Sequence, residues 1–399
     1  MGVNAIFLKY RLLPFRCIQT NALKPRKFSS FVPLHSNKLF QMRKISNSTS
    51  WQSQNSVLFY SSSSGQEQLL VKTFGDPQDV VVKENFSLPK TLGKNEVIVN
   101  VLASPVNPAD INTIQGVYAI KPDFPFVPGN EAVMQVVDKG SDVIRLGIGD
   151  RVIPALNAMG TWRTAMVAEQ DKLIKIPSDI DIITASTIAV NPCTAYRMLT
   201  DFVDLKPGDV VIQNCANSAV GQAVIQIAAV KGIQTVNIVR QRPNFEELKE
   251  YLTSIGATSV ILDSELRSMK EKLKGLPKPV LALNGVSGKP GTDLMRQLAD
   301  GGTMVTYGGM SRQPVTVPVG SLIFNDVILR GFWMTRWNKV HESDEERFGM
   351  LDALFELSRR GKLLCPPHER VPFHEFKKAL EKAMPAGGMA GKKQVLVMA

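Results

Sequence analysis

The sequence predicts an α/β protein in which a doubly wound parallel-sheet domain is inserted into a mostly-β domain. Three observations lead there. From residue 67 to 190, short apolar runs alternate with Pro, Gly and Asp turns. From residue 209 onward, continuous apolar strands alternate with helix-period segments, the pattern of a sheet covered on both faces. The tail then returns to two helices and a last strand.

Taken in order, Glu96–Leu102, Ala132–Val137 and Arg151–Pro154 read as strands of a barrel or sandwich-like unit. Asp209–Gln213 is a strand with a continuous apolar run after the turn Lys206-Pro207-Gly208, and Val220–Lys231 follows with a helical pattern. Thr235–Val239 and Val260–Leu262 are further strands, with a helical segment Phe245–Ile255 between them. Pro279–Leu283 and Thr303–Tyr307 are buried-type strands separated by a helix over Asp293–Ala299. Helices over Phe348–Arg359 and Glu375–Met384 precede a strand at Gln394–Met398. Repeated strand–helix–strand crossovers of this kind are right-handed.

Charge divides the chain unevenly. Of its 399 residues, 47 are Lys or Arg and 36 Asp or Glu, a formal net charge of +11. Residues 1–66 hold nine of the cations and no acid; Glu67 is the first. Everything after it is near neutral. A basic, Ser-rich, acid-free leader is the composition of an organellar transit peptide, and residues 1–62 are assigned to one, with an amphipathic helix expected over Ile6–Cys17. A disordered basic tail for nucleic acid is the alternative on composition. No apolar run is long enough to span a bilayer.

Several chemistries are poorly supplied. Cys17, Cys193, Cys215 and Cys365 form no CxxC, and the four histidines form no HExxH. There is no GxSxG elbow for acyl transfer.

The first strand of the α/β region runs into Asn214-Cys-Ala-Asn-Ser-Ala-Val-Gly221 and then a helix. A Rossmann fold places its phosphate loop there, at a helix N-terminus whose free N–H groups attract anions. The glycine signature is eroded to Gly221, and a plain strand–turn–helix with a capping Asn or Ser fits the loop alone equally well. The second strand sharpens the reading. An acid at its end would bind a ribose hydroxyl; here Thr235–Val239 is followed by Arg240-Gln241-Arg242, whose guanidinium groups suit a 2′-phosphate. That favours NADP(H) over NAD(H).

Longer strings then carry a resemblance. Asn107-Pro-Ala-Asp110, Pro128-Gly-Asn-Glu-Ala132, Gly149-Asp-Arg-Val152 and Lys206-Pro-Gly-Asp209 resemble the medium-chain dehydrogenase/reductase superfamily. Its zinc branches carry His where Asn130 stands, together with a four-Cys lobe that this chain lacks. Ile114–Tyr118, Val190–Leu199, Gly301–Met310 and Leu329–Trp333 resemble the zinc-independent enoyl thioester reductases of mitochondrial fatty acid synthesis. Ala219 departs from the family's frequent Gly by one methyl.

The resemblance implies a GroES-like catalytic domain over 67–190, completed by 345–399, and a Rossmann NADPH-binding domain over 191–344. It implies reduction of a trans-2-enoyl thioester, on CoA or acyl carrier protein, by NADPH in the mitochondrial matrix. Tyr118 is implied as proton donor, a phenol being protonated at neutral pH. Packing beside a turn is what Tyr118 would do without the resemblance. Cofactor contacts are implied for Asn191; for Asn217, Ser218, Ala219 and Val220 of the phosphate turn; and for Arg240, Gln241 and Arg242. Tyr307, Gly308, Gly309 and Met310 follow a strand, and Phe332, Trp333, Met334 and Thr335 are expected to line the cleft from the next one. Lys393 completes the implied set, and no metal ligand is implied. A homodimer is expected, with no nucleic-acid partner and no membrane span. Two alternatives stay open: an NADPH quinone reductase of the same superfamily, and a non-catalytic NADPH- or nucleic-acid-binding protein.

Overall fold

A computed structural model of the chain describes residues 65–268, 275–384 and 391–398. The leader and its expected helix lie outside these residues. The α/β architecture is as the sequence predicts.

The chain enters through an antiparallel pair, β1 (Gln66–Val71) and β2 (Val81–Phe86). The ten-residue β3 (Glu96–Pro105) then forms the spine of a second sheet. Its alternate residues Val97, Val99, Val101 and Ala103 are buried, the period of a strand with one face on a core. It pairs antiparallel with β4 (Val133–Lys139), which is followed along the sheet by β5 (Arg151–Pro154). β3 also pairs with β6 (Ala165–Glu169), and β5 with β7 (Leu173–Lys175).

The parallel sheet begins with β8 (Val210–Gln213), buried at all four positions. β9 (Gln234–Val239) and β10 (Ser259–Leu262) lie to one side of it. β11 (Leu281–Asn284), β12 (Thr303–Thr306) and β13 (Ile328–Gly331) lie to the other. Strand order therefore reverses between β8 and β11, the switch point at which such sheets open a crevice for ligands. β13 is an edge strand whose four residues are all exposed, and Phe324 just before it is 81% exposed.

β14 (His368–Pro372) and β15 (Lys393–Val397) return to the first sheet, where β15 pairs with the end of β3. The largest buried cluster crosses from one sheet to the other. Val211 and Leu283 of the parallel sheet belong to it with Ile153, Met198, Leu354 and Val395. Each such side chain contributes about 1.5–3 kcal/mol by leaving water.

The structure moves two expected elements. The helix expected over Asp293–Ala299 runs Gly288–Met295. Pro290 falls in its first turn, where no N–H is required, so the proline does not delay the start. Phe332–Thr335 are not a strand. β13 stops at Gly331, Trp333 precedes a helix over Met334–Val340, and Met334 and Thr335 open its first turn. Short helices over Pro108–Ile114 and Ile182–Thr187 also interrupt the region read as mostly β, and another over Asn191–Met198 follows it.

Candidate active site

The carboxyl edge of the parallel sheet is lined by amides that bond to one another. Gln213 donates to Asn237 Oδ1 (2.8 Å) and to the Gly221 carbonyl (2.9 Å). Asn214 donates to Asn284 Oδ1 (2.8 Å), and Asn284 to Thr306 Oγ1 (3.1 Å). This ladder links β8 to β9, the residue after β8 to β11, and β11 to β12 without a charge. Sequence reading missed Gln213, Asn237 and Asn284; a buried-strand run carrying one amide was the available signal.

The loop 214–221 turns through Cys215 at φ 53°, then Ser218 caps the helix Ala219–Val230 by accepting from the Gly221 N–H (3.1 Å). A Cβ on Gly221 would stand 2.6 Å from the Ala216 carbonyl oxygen, so glycine is what brings helix and strand together. The Asn217 carbonyl accepts from Gln222 Nε2 (2.8 Å). Tyr307 brings its buried hydroxyl against Gly285, near Ser218 and Cys215, with no well-formed hydrogen bond; burial pushes its pKa up. Gly308 is half-buried beside it, whereas Gly309 and Met310 are exposed.

Arg240, Gln241 and Arg242 leave the end of β9. Arg242 has a buried Nε without a partner among the described residues. Burial, then the neighbouring Arg240, push its guanidinium down from its ordinary pKa. Two like charges this close, one with an unfilled buried donor, suit a multiply charged anion. The tight Gly221 turn, the unsatisfied Tyr307 hydroxyl and this donor all fit a phosphorylated dinucleotide.

Across the crevice, the turn after helix Pro108–Ile114 presents Tyr118. Gly116 adopts φ 72° and a Cβ there would meet Phe74 at 2.8 Å, while Val117 and Tyr118 donate to the Asn112 carbonyl (3.0 and 3.1 Å). The indole Nε1 of Trp333 donates to the Tyr118 hydroxyl oxygen at 2.8 Å, with the rings edge to face at 6.2 Å. An indole can only donate, so the phenol oxygen is the acceptor and its own proton is left to point elsewhere. Phe332 packs edge to face on Phe202, and Met334 is buried in the main core cluster.

A third group sits at the junction of the sheets. Asn107 Oδ1 accepts from Lys393 Nζ (2.6 Å) and from Asn191 Nδ2 (3.1 Å). Asn107 Nδ2 donates to Glu131 Oε1 (2.9 Å), and Glu131 Oε2 accepts the Val190 N–H (2.9 Å). Asp110 accepts from the Asn107 N–H (2.8 Å) and from Asn130 Nδ2 (2.6 Å). Burial raises Asp110 to about 6 and Glu131 to about 7, and it lowers Lys393 against the opposing pull of the two carboxylates.

The structure thus brings Tyr118 to Trp333, and Asn191 to Lys393 through Asn107. Asn130 fills the position where zinc branches carry a ligand, and its side chain is spent on Asp110 and on the Ala158 N–H (2.9 Å). Among the described residues, His341, Asp344 and Glu346 stand close enough to share an ion. Their contacts are used within the fold: Asp344 caps helix Glu345–Arg359, His341 stacks on Trp337, and Glu346 pairs with Arg197. No helix of the described residues is long and apolar enough to cross a membrane.

Residues 93–178 match the family described as alcohol dehydrogenase GroES-like domain, and residues 219–348 match zinc-binding dehydrogenase. The chain is 52% identical over 326 residues to the human mitochondrial enoyl-[acyl-carrier-protein] reductase, covering 81% of this chain and 86% of that one. It is similar to the solved complex of Etr1p with NADP and crotonyl-CoA, with a TM-score of 0.77 and 35% identity over 84% of this chain and 99% of the other. It is equally similar, at TM-score 0.77 and 34% identity over 84% of this chain and 100% of that one, to the mitochondrial 2-enoyl thioester reductase Etr1p/Etr2p heterodimer from Candida tropicalis.

Proposed function

Because the chain belongs to the mitochondrial enoyl-[acyl-carrier-protein] reductases of the medium-chain dehydrogenase/reductase superfamily, we propose that it reduces trans-2-enoyl thioesters with NADPH in the mitochondrion. The observation that carries the chemistry is the Trp333–Tyr118 hydrogen bond. It fixes the phenol at the cleft between two domains and leaves its proton available.

NADPH, when bound, supplies the hydride. The thioester carbonyl makes Cβ of the substrate electrophilic, and charge moves toward the carbonyl oxygen as Cβ is reduced. Tyr118 donates the proton that neutralises this enolate at Cα, or hydrogen-bonds it while charge builds. Arg240 and Arg242 hold the 2′-phosphate, and the Ser218–Gly221 turn holds the pyrophosphate at a helix N-terminus. Asn191 and Lys393 face the nicotinamide end. In Tyr118→Phe, turnover of crotonyl-CoA should collapse while NADPH affinity stays unchanged; normal turnover would sink the role. Benzoquinone reduction exceeding crotonyl-CoA reduction would instead favour the quinone reductase reading.

The domains are 67–190 with 345–399, and 191–344, behind a transit peptide in 1–62. The carrier is acyl carrier protein or CoA. The partner is a second copy of the chain. The exposed β13, paired with β12 on one side and with no strand on the other among the described residues, lies beside exposed Val319, Leu322, Ile323 and Phe324 and invites edge-to-edge pairing. Phe324→Asp with Leu329→Lys should convert a dimer to a monomer in light scattering; a dimer of unchanged mass would remove this interface.

A further inference from the structure

Asn107, Glu131, Asn191 and Lys393 come from four separate parts of the chain, yet their donors and acceptors interlock in one sense only. A carboxylate accepts and cannot donate. Glu131 is therefore served by two donors, the Asn107 amide and the Val190 N–H. Turning the NH2 of Asn107 toward Glu131 turns its oxygen the other way. That oxygen then takes Lys393 and Asn191, filling both its lone pairs. If Asn107 flipped, three donors would face each other around Lys393.

We propose that Glu131 and Asn107 are positioning residues for the reaction: Glu131 orients the Asn107 amide, and that amide sets where Asn191 and Lys393 aim at the cofactor. The same carboxylate ties the β3 side of the junction to the start of helix Asn191–Met198 through Val190. This rests on the reading that Asn191 and Lys393 face the nicotinamide end.

The polarity of the chain makes it sensitive to one proton. A protonated Glu131, or a glutamine in its place, carries a donor that must face either the Asn107 NH2 or the Val190 N–H. The ionisable groups around Glu131 are Lys393 and Asp110, with the thiols of Cys193 and Cys365. Burial raises Glu131 to about 7, and Asp110 adds to the rise. The orienting carboxylate is thus lost as pH falls through neutrality.

The test uses the processed enzyme with NADPH and crotonyl-CoA. Glu131→Gln should weaken NADPH, read by fluorescence titration, by about tenfold, the scale of a lost charge-assisted hydrogen bond. Its KM for crotonyl-CoA should not move. The wild type's kcat/KM for NADPH should fall as pH drops through about 7, and Glu131→Gln should lack that limb, running throughout at the wild type's acid rate. Titration of the nucleotide's own phosphate is common to both proteins, so the difference between them is what counts. Asp110→Asn should move the limb to lower pH, and it serves where Glu131→Gln does not fold. Lys393→Met and Glu131→Gln should combine less than additively, as neighbours in one network do. Unchanged NADPH affinity with an intact acid limb in Glu131→Gln overturns the positioning role. Unchanged affinity in Asn191→Ala and Lys393→Met overturns the cofactor-facing reading as well.

Discussion

At the carboxyl edge of the parallel sheet, Gln213 bonds to Asn237 and Asn214 to Asn284 as pairs of neutral amides. At the junction of the sheets, Asn107 is gripped by a carboxylate and an ammonium. Both regions hold polar groups out of water beside the same cleft. The first is built mainly from strand ends that neighbour each other in one sheet and carries no ionisable group in the ladder itself. The second joins residues up to 286 positions apart and depends on charge. Strand ends within one sheet can be tied by neutral amides, whereas the junction between the two sheets uses ions, at the cost of burying them.

The largest expected effect lies on neither support but on the group they frame. Tyr118→Phe should lower kcat by roughly 10²–10⁴-fold, the usual range for a positioned acid, with NADPH affinity intact. Stopped-flow NADPH oxidation checks it.

Breaking the cofactor side of the cleft comes next. Arg240→Gln with Arg242→Gln should weaken NADPH on the order of a hundredfold more than NADH, since each charge-assisted bond is lost only with the phosphate. Equal loss for the two cofactors in parallel titrations would refute the 2′-phosphate site. Gly221→Val forces side-chain atoms onto the Ala216 carbonyl, 2.6 Å from where its Cβ would stand. It should cost about 1–3 kcal/mol of stability and weaken both cofactors alike, measured by urea denaturation and by titration.

The smallest effect separates the two regions by pH. Asp110 and Glu131 rise in the fold from 3.8 and 4.5 to about 6 and about 7. Across that window the folded state binds more protons than the unfolded one, so these groups make stability decline as pH rises toward about 7. Glu131→Gln should flatten the upper part of that decline in urea midpoints taken against pH. The amide ladder contributes nothing to the slope, so an unchanged slope would show that the junction acids are not its source.

What the sequence disclosed follows the same division. Continuous apolar strands such as Val210–Gln213 announce a doubly covered sheet, and Arg240 and Arg242 declare themselves because they follow a strand end. The helix at Gly288 was read five residues late because Pro290 looks like a breaker until its first-turn position is known. Phe332–Thr335 read as strand because their apolar content continues that of β13, but Trp333 turns out of the sheet to reach Tyr118. The grip on Asn107 was illegible: Asn107, Glu131 and Lys393 lie in separate segments, and only pairing of β3 with both β4 and β15 brings them together. Local pattern reveals elements; the partners of a buried charge are decided by topology.

The hydrogen bond between Trp333 and Tyr118 also makes the protein its own optical instrument. Among the described residues, the other two tryptophans, Trp162 and Trp337, are both buried away from solvent, so their emission has little reason to respond to a ligand in the cleft. Trp333 is only partly covered, and its indole nitrogen is tied to the Tyr118 hydroxyl. Its fluorescence therefore reports, without any attached dye, on whether the two walls of the cleft are in register.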